Sequence, residues 1–214
     1  MKRTFFVFFF TLLFVYNSNA QYREVYYGVK VGGNLSHVMY NGNSDSFFNN
    51  NKMFLSSHIG GFAEIVINEI FAVQPELLYS VKGSNFDLVG ENNPRSSFVF
   101  KYISVPILAK SYVSEHISIQ AGPQIAVLLS AKNEESSDVY QSNLGNELAS
   151  VDIYHEMNFL DYGLTGGVSY LTKSGFLIGA RYNYGLANTF NKDSNFIGKM
   201  NNGAVQIFAG FSFQ

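Results

Sequence analysis

Residues 203–213 read Gly203-Ala204-Val205-Gln206-Ile207-Phe208-Ala209-Gly210-Phe211-Ser212-Phe213. Val205, Ile207, Ala209, Phe211 and Phe213 share one parity while Gln206 and Ser212 take the other, the period-two signature of a strand with one apolar face. A helix of period 3.6 would scatter both sets around its circumference. The same alternation recurs upstream in segments of about 10 to 13 residues, the length a tilted strand needs to cross an outer membrane. Strands are predicted near 26–35, 55–67, 71–82, 98–110, 117–130, 159–171, 176–186 and 202–213.

Each segment sorts its residues in the same way. Tyr27, Val29, Val31 and Leu35 oppose Lys30 and Asn34; Phe71, Val73, Leu77, Tyr79 and Val81 oppose Gln74, Glu76, Ser80 and Lys82. Ile117, Ile119, Ala121, Ile125, Val127 and Leu129 oppose Ser118, Gln120 and Gln124, and Leu160, Tyr162, Leu164, Val168 and Tyr170 oppose Asp161, Thr165 and Ser169. Two architectures give such a pattern: a soluble barrel or sandwich with an apolar core, or a membrane barrel with an apolar exterior and a polar lumen.

The connections separate them. Short turns at 68–70, 113–116 and 172–175 alternate with long polar loops at 36–54, 83–97, 131–158 and 187–201. Three short and four long connections describe eight strands with both ends on the short-turn side, the asymmetry of periplasmic turns and extracellular loops. The expected fold is therefore all-β, an eight-stranded antiparallel up-and-down transmembrane β-barrel. The closing Phe211-Ser212-Phe213-Gln214 resembles the aromatic terminal signal read by the outer-membrane barrel assembly machinery.

The start of the chain reads as an address. Lys2 and Arg3 form a basic region, residues 5–15 an apolar run, and Asn17-Ser18-Asn19-Ala20 puts small residues before a cut at Gln21. A membrane anchor is the alternative, disfavoured by the short apolar run. The expected division is a signal peptide over 1–20 and an outer-membrane barrel domain over 21–214, exported to the cell outer membrane of a Gram-negative bacterium. Without Lys2 and Arg3, the 14 basic residues fall to 12 against 16 acidic ones, a net charge near −4 that offers nothing to nucleic acid. There is no cysteine, so disulfides and thiol catalysis are excluded. After the signal no stretch approaches 18 consecutive apolar residues, which removes helical spans, while an aromatic share of 16%, all Phe and Tyr, suits strands with aromatic girdles.

Several further segments stand out: Gly28-Val29-Lys30-Val31-Gly32-Gly33-Asn34-Leu35, Gln74-Pro75-Glu76-Leu77-Leu78-Tyr79-Ser80 with Lys82-Gly83, Tyr102-Ile103-Ser104-Val105-Pro106, Ala121-Gly122-Pro123-Gln124 and Ala180-Arg181-Tyr182-Asn183-Tyr184-Gly185-Leu186. They resemble the PorT-like family of Bacteroidetes outer-membrane β-barrel proteins. The resemblance implies an outer-membrane barrel, and its namesake belongs to a secretion system that exports gliding and virulence proteins. Ser104 departs from the pattern, which implies an acidic residue there.

Projecting the alternation inward gives Lys30, Glu64, Glu76, Lys110, Asp161 and Arg181 as a structural lumen charge network, joined by Gln74, Gln120, Gln124, Asn183 and Gln206. The interior of an eight-stranded barrel is just filled by side chains, so these charges must pair. A ligand or ion pathway is the other reading. Arg181 is expected to meet Glu76 or Glu64, since an arginine facing lipid near the midplane would cost about 2–4 kcal/mol.

Catalysis needs a nucleophile, a histidine and an orienting carboxylate. His37 and His155 are expected in loops and His116 in a short turn, so only His58, expected at the outer end of its strand with Ser56 and Ser57 nearby, is suggestive. No enzymatic activity, no cofactor and no metal site is expected: no two histidines have ligand spacing and cysteine is absent. Glu134, Glu135 and Asp138 read as a solvated loop rather than a calcium site, and the glycine pairs 32–33 and 166–167 precede no helix and so cradle no phosphate. The expected partners are outer-membrane lipid and a protein bound through the extracellular loops, of which the Asn-, Ser- and Gly-rich stretch 41–51 is the most open in composition. The function expected is a structural or cell-surface interaction role with a filled polar lumen, the alternative being a narrow porin-like channel or a transport or secretion component.

Overall fold

The computed structural model describes residues 24–41, 51–87, 95–136, 149–190 and 199–213. The expected signal segment, most of the stretch 41–51 and Asp138 lie outside the described residues. The strands are β1 (Val25–Asn41), β2 (Asn51–Lys52), β3 (Phe54–Val66), β4 (Phe71–Asp87), β5 (Arg95–Tyr112), β6 (Ile117–Ser136), β7 (Ala149–Asp152), β8 (Leu160–Leu171), β9 (Phe176–Gly185) and β10 (Lys199–Phe213). Among the described residues one 3-10 turn, Tyr154–Glu156, interrupts them. Eight long strands run antiparallel in the order β4-β3-β1-β10-β9-β8-β6-β5, and a β4–β5 pairing closes the ring. The short β2 and β7 pair antiparallel with the outer ends of β4 and β6.

The ladder fixes the tilt. Starting at Tyr112 on β5 and stepping across hydrogen-bonded neighbours leads through Ser118, Ser169, Gly179, Phe208, Gly32, His58 and Ser80 to Tyr102. The row thus returns to β5 ten residues further out, a stagger that closes the sheet only if the strands lean about 35–45° from the axis.

Parity decides what each face meets. Ile207 is 68% exposed, whereas its neighbour Gln206 is 1% exposed. Val29, Val31, Ile59, Leu77, Ile119, Leu164, Val168 and Ile178 all face outward, and Lys30, Glu76, Gln120, Thr165 and Arg181 face inward. Such an inversion leaves an apolar belt that only lipid covers at low cost. The short turns end on side-chain caps: Asn68 Oδ1 accepts from the Ile70 and Phe71 amides at 2.9 and 2.8 Å, and Thr172 Oγ1 from the Phe176 amide at 2.9 Å. Gly175 takes φ 87° in the last turn, and a Cβ there would lie 2.4 Å from the Ser212 carbonyl, so only glycine fits.

Two expectations need correction. The strands reach well past their predicted outer ends, to Asn41, Asp87, Arg95, Ser136 and Lys199, because the ladder continues where the wall leaves the lipid and apolar alternation stops. Nor is the lumen polar throughout. At the outer mouth Phe100, Tyr102 and Leu128, from the outer ends of predicted strands, join Val38, Ala131, Met157, Phe190 and Met200, from stretches expected to be loops, in a buried apolar core.

A ring with every long strand paired on both sides has no edge from which to unravel. The folded protein is expected to migrate apart from the boiled chain in detergent gels. Identical migration after refolding would contradict closure.

Candidate functional site: the barrel lumen

Among the described residues three groups of charge stack along the interior. Nearest the short turns, Lys110 Nζ lies 2.5 Å from Glu64 Oε2 and 3.2 Å from the Tyr112 hydroxyl, which itself donates to Glu64 Oε1. These residues come from the lower ends of β3 and β5, so this pair plugs the inner mouth.

The middle group joins opposite walls. Lys30 Nζ on β1 lies 2.5 Å from Glu76 Oε1 on β4, and Arg181 Nη1 on β9 donates to Glu76 Oε2 at 2.8 Å. Gln74 Nε2 also donates to Glu76 Oε1 at 2.7 Å, and Arg181 Nε to Gln206 Oε1 at 2.6 Å. Both cations lie over the Phe208 ring, Lys30 at 4.7 Å and the Arg181 guanidinium at 5.5 Å. All three ionic side chains are almost completely withdrawn from solvent. A carboxylate this deep persists as an ion because both oxygens accept charge-assisted bonds.

Above it comes a neutral polar layer. Asn34 Nδ2 donates to the Ser57 and Val81 carbonyls at 3.0 and 2.8 Å, which fixes its amide so that Oδ1 accepts from Gln206 Nε2 at 2.6 Å. His58 Nδ1, 2.7 Å from the same oxygen, must therefore carry a proton. Thr165 donates to Asn183 in the same layer. The outermost pair is Lys82 with Asp161, 3.6 Å apart, where Asn202 Nδ2 lies 3.4 Å from both Asp161 and the Tyr102 hydroxyl.

The apolar cap closes over this pair. Ile153 N donates to the Ala131 carbonyl at 3.1 Å and Thr189 N to that of Met200 at 2.7 Å. Asn158 Nδ2 then ties the two loop bases together, donating to the Asn188 and Phe190 carbonyls at 2.7 and 2.9 Å.

Lys30, Glu64, Glu76, Lys110, Asp161 and Arg181 all lie inside, in three separate groups rather than one. Arg181 meets Glu76 and not Glu64, which Lys110 occupies. Lys82 and His58 are interior residues that the sequence reading left out of the lumen set. Lys82 stood on the polar parity of its strand, and that signal alone was enough to find it. His58 belongs to the wall and not to the outer rim: it is 1% exposed, Ser56 Oγ donates to Val81 O instead, and Ser57 faces outward. Among the described residues no group of histidine and acid side chains could hold a metal ion.

No curated protein matches the sequence. The structure is similar to that of Ail, the attachment invasion locus protein of Yersinia pestis, with a TM-score of 0.50 and 16% identity over 89% of this chain and 99% of that one. It is likewise similar to Neisserial surface protein A, with a TM-score of 0.50 and 13% identity over 87% of this chain and 97% of that one. At such identities the likeness concerns the fold. Residues 17–191 match the family described as outer membrane protein beta-barrel domain, and the chain, a closed barrel with its apolar face turned to outer-membrane lipid, belongs to that family.

Proposed function

We propose that the protein is a non-conducting outer-membrane barrel with a structural or cell-surface interaction role, without enzymatic activity, that meets a protein partner through its outer loops. The observation that carries this reading is the filled lumen: two ion-paired groups, a neutral polar layer and a third pair succeed one another beneath an apolar cap. The same reading has residues 1–20 removed as a signal peptide on export, leaving a 21–214 barrel domain.

Membership in the PorT-like family of Bacteroidetes is the finer part of the proposal. It is supported by where the resembling segments fall, since Lys30, Glu76 and Arg181 each lie in one of them and meet in the middle group. Planar-bilayer recording of the refolded full-length chain tests the function. The expected result is no unitary current steps above the bare membrane. Stable steps would overturn the reading and favour a narrow porin-like channel or a transport or secretion component.

A further inference from the structure

The buried charges do not balance. Among the described residues Lys30, Lys82, Lys110 and Arg181 are buried against Glu64, Glu76 and Asp161, four bases to three acids. His58, neutral or cationic, supplies no negative charge to offset it. The surplus sits in the middle group, where two cations share the single carboxylate of Glu76. The other two pairs are one to one. An uncompensated ion in a narrow interior costs several kcal/mol unless something opposite in sign joins it.

Part of the unused hydrogen-bonding capacity lies beside that surplus. Among the described residues His58 Nε2, Gln74 Oε1, Ser104 Oγ, Gln120 Nε2, Arg181 Nη2 and Thr189 Oγ1 are buried without a protein partner, and of these Arg181 Nη2 and Ser104 Oγ are donors adjoining the middle group. Ser104 pairs on the wall with Leu78, two residues beyond Glu76 on the same face, which puts its Cα about 7–8 Å from that of Glu76. Arg181 reaches the same carboxylate from the opposite wall. A guanidinium N–H and a hydroxyl, both unspent and both adjoining the group with excess positive charge, make a donor set for a negative ion.

We propose that the lumen binds one small monovalent anion above the Lys30–Glu76–Arg181 group, held by Arg181 Nη2 and Ser104 Oγ. The ion completes the charge balance that the chain's own residues leave open. We assign it to the halide class, the smallest monovalent anions, because Leu78, Pro106 and Thr165 are buried side chains of the same interior. A carboxylate placed at position 104 would do the same work from within the chain.

The test uses the full-length protein refolded in detergent, with chloride or bromide exchanged for gluconate at constant ionic strength. Saturating halide should raise the midpoint of the heat-shift transition by about 3 °C over gluconate, the scale set by a bound ligand of modest affinity in a domain of this size. Ser104→Glu should remove the halide dependence, and Ser104→Val should weaken it. Crystals soaked in bromide should show an anomalous peak beside Arg181 Nη2, a readout that holds even if a variant fails to fold. Equal midpoints in both salts, or bromide found only on the exterior, would overturn the proposal. So would halide dependence that survives unchanged in Ser104→Glu. Water alone at the orphaned atoms, with Lys30 discharged to restore balance, would give the first of these results.

Discussion

Replacing Glu76 by alanine is expected to cost about 3–5 kcal/mol of barrel stability, measured by urea unfolding in lipid vesicles. The loss is large because, among the described residues, Glu76 alone supplies negative charge to the middle group. Without it Lys30 and Arg181 keep their places over Phe208 with no counter-charge between them. Arg181→Ala should cost less than this, since Lys30 still neutralises the carboxylate that remains. The two changes together should cost clearly less than their sum, by more than about 0.5 kcal/mol, because the second removes an ion the first had stranded. The cycle pairing Arg181→Ala with Glu64→Ala should be additive within that margin, as Glu64 answers to Lys110 and Tyr112. Additivity in the first cycle, or strong coupling in the second, would show that the pairs are arranged differently in the membrane.

Phe100→Ala should cost about 3–5 kcal/mol, and the damage should stay local. Phe98, Phe100 and Tyr102 alternate inward on β5, with ring centroids 6.3 and 6.5 Å apart, and Phe100 is 1% exposed at the centre of the cap. Its removal leaves a void between Leu128, Met157 and Phe190 that the loop bases cannot refill without breaking their backbone bonds. Amide exchange at Ile153, Met157 and Thr189 should quicken, while the amides of β1 and β10 below Asn34 keep their protection. Equal acceleration at both levels would mean that cap and membrane wall open as one unit.

The parts of this molecule that were legible share a cause. Inside the lipid belt every residue must choose between hydrocarbon and lumen, so a period of two is imposed on the sequence and can be read back from it. Lys30 and Arg181 are placed by their neighbours Val29, Val31, Ala180 and Tyr182 as much as by their own charge. Which acid each base meets was not legible, because the stagger of ten residues sets relative depth across strands and parity says nothing of it. His58 shows the effect: it stands near the start of β3, yet the ladder sets it beside Gly32 on β1 and Ser80 on β4. The cap was hidden for another reason. Beyond the lipid, outward residues such as Lys132 and Asp152 are polar like any loop, and the contacts of Met157 and Phe190 with Phe100 join segments more than fifty residues apart.

One irregularity in the wall divides these two regimes. Between β5 and β6 the register slips, so that Lys101 faces Ser130 while Tyr102 faces Leu128, and Leu129 is passed over. Below the slip even-numbered residues of β6 point inward, from Ser118 to Leu128; above it Ala131 is buried and Lys132 is exposed. The bulge therefore acts as a joint at which residue count on one side ceases to dictate facing on the other. Strand length below it is under strict arithmetic, because one residue gained or lost would turn charges toward hydrocarbon. Above it, an insertion or deletion can be absorbed where one already has been. A surface that must change faster than its anchor would gain from such a joint, because its outer segments can lengthen, shorten and vary without renegotiating the interior.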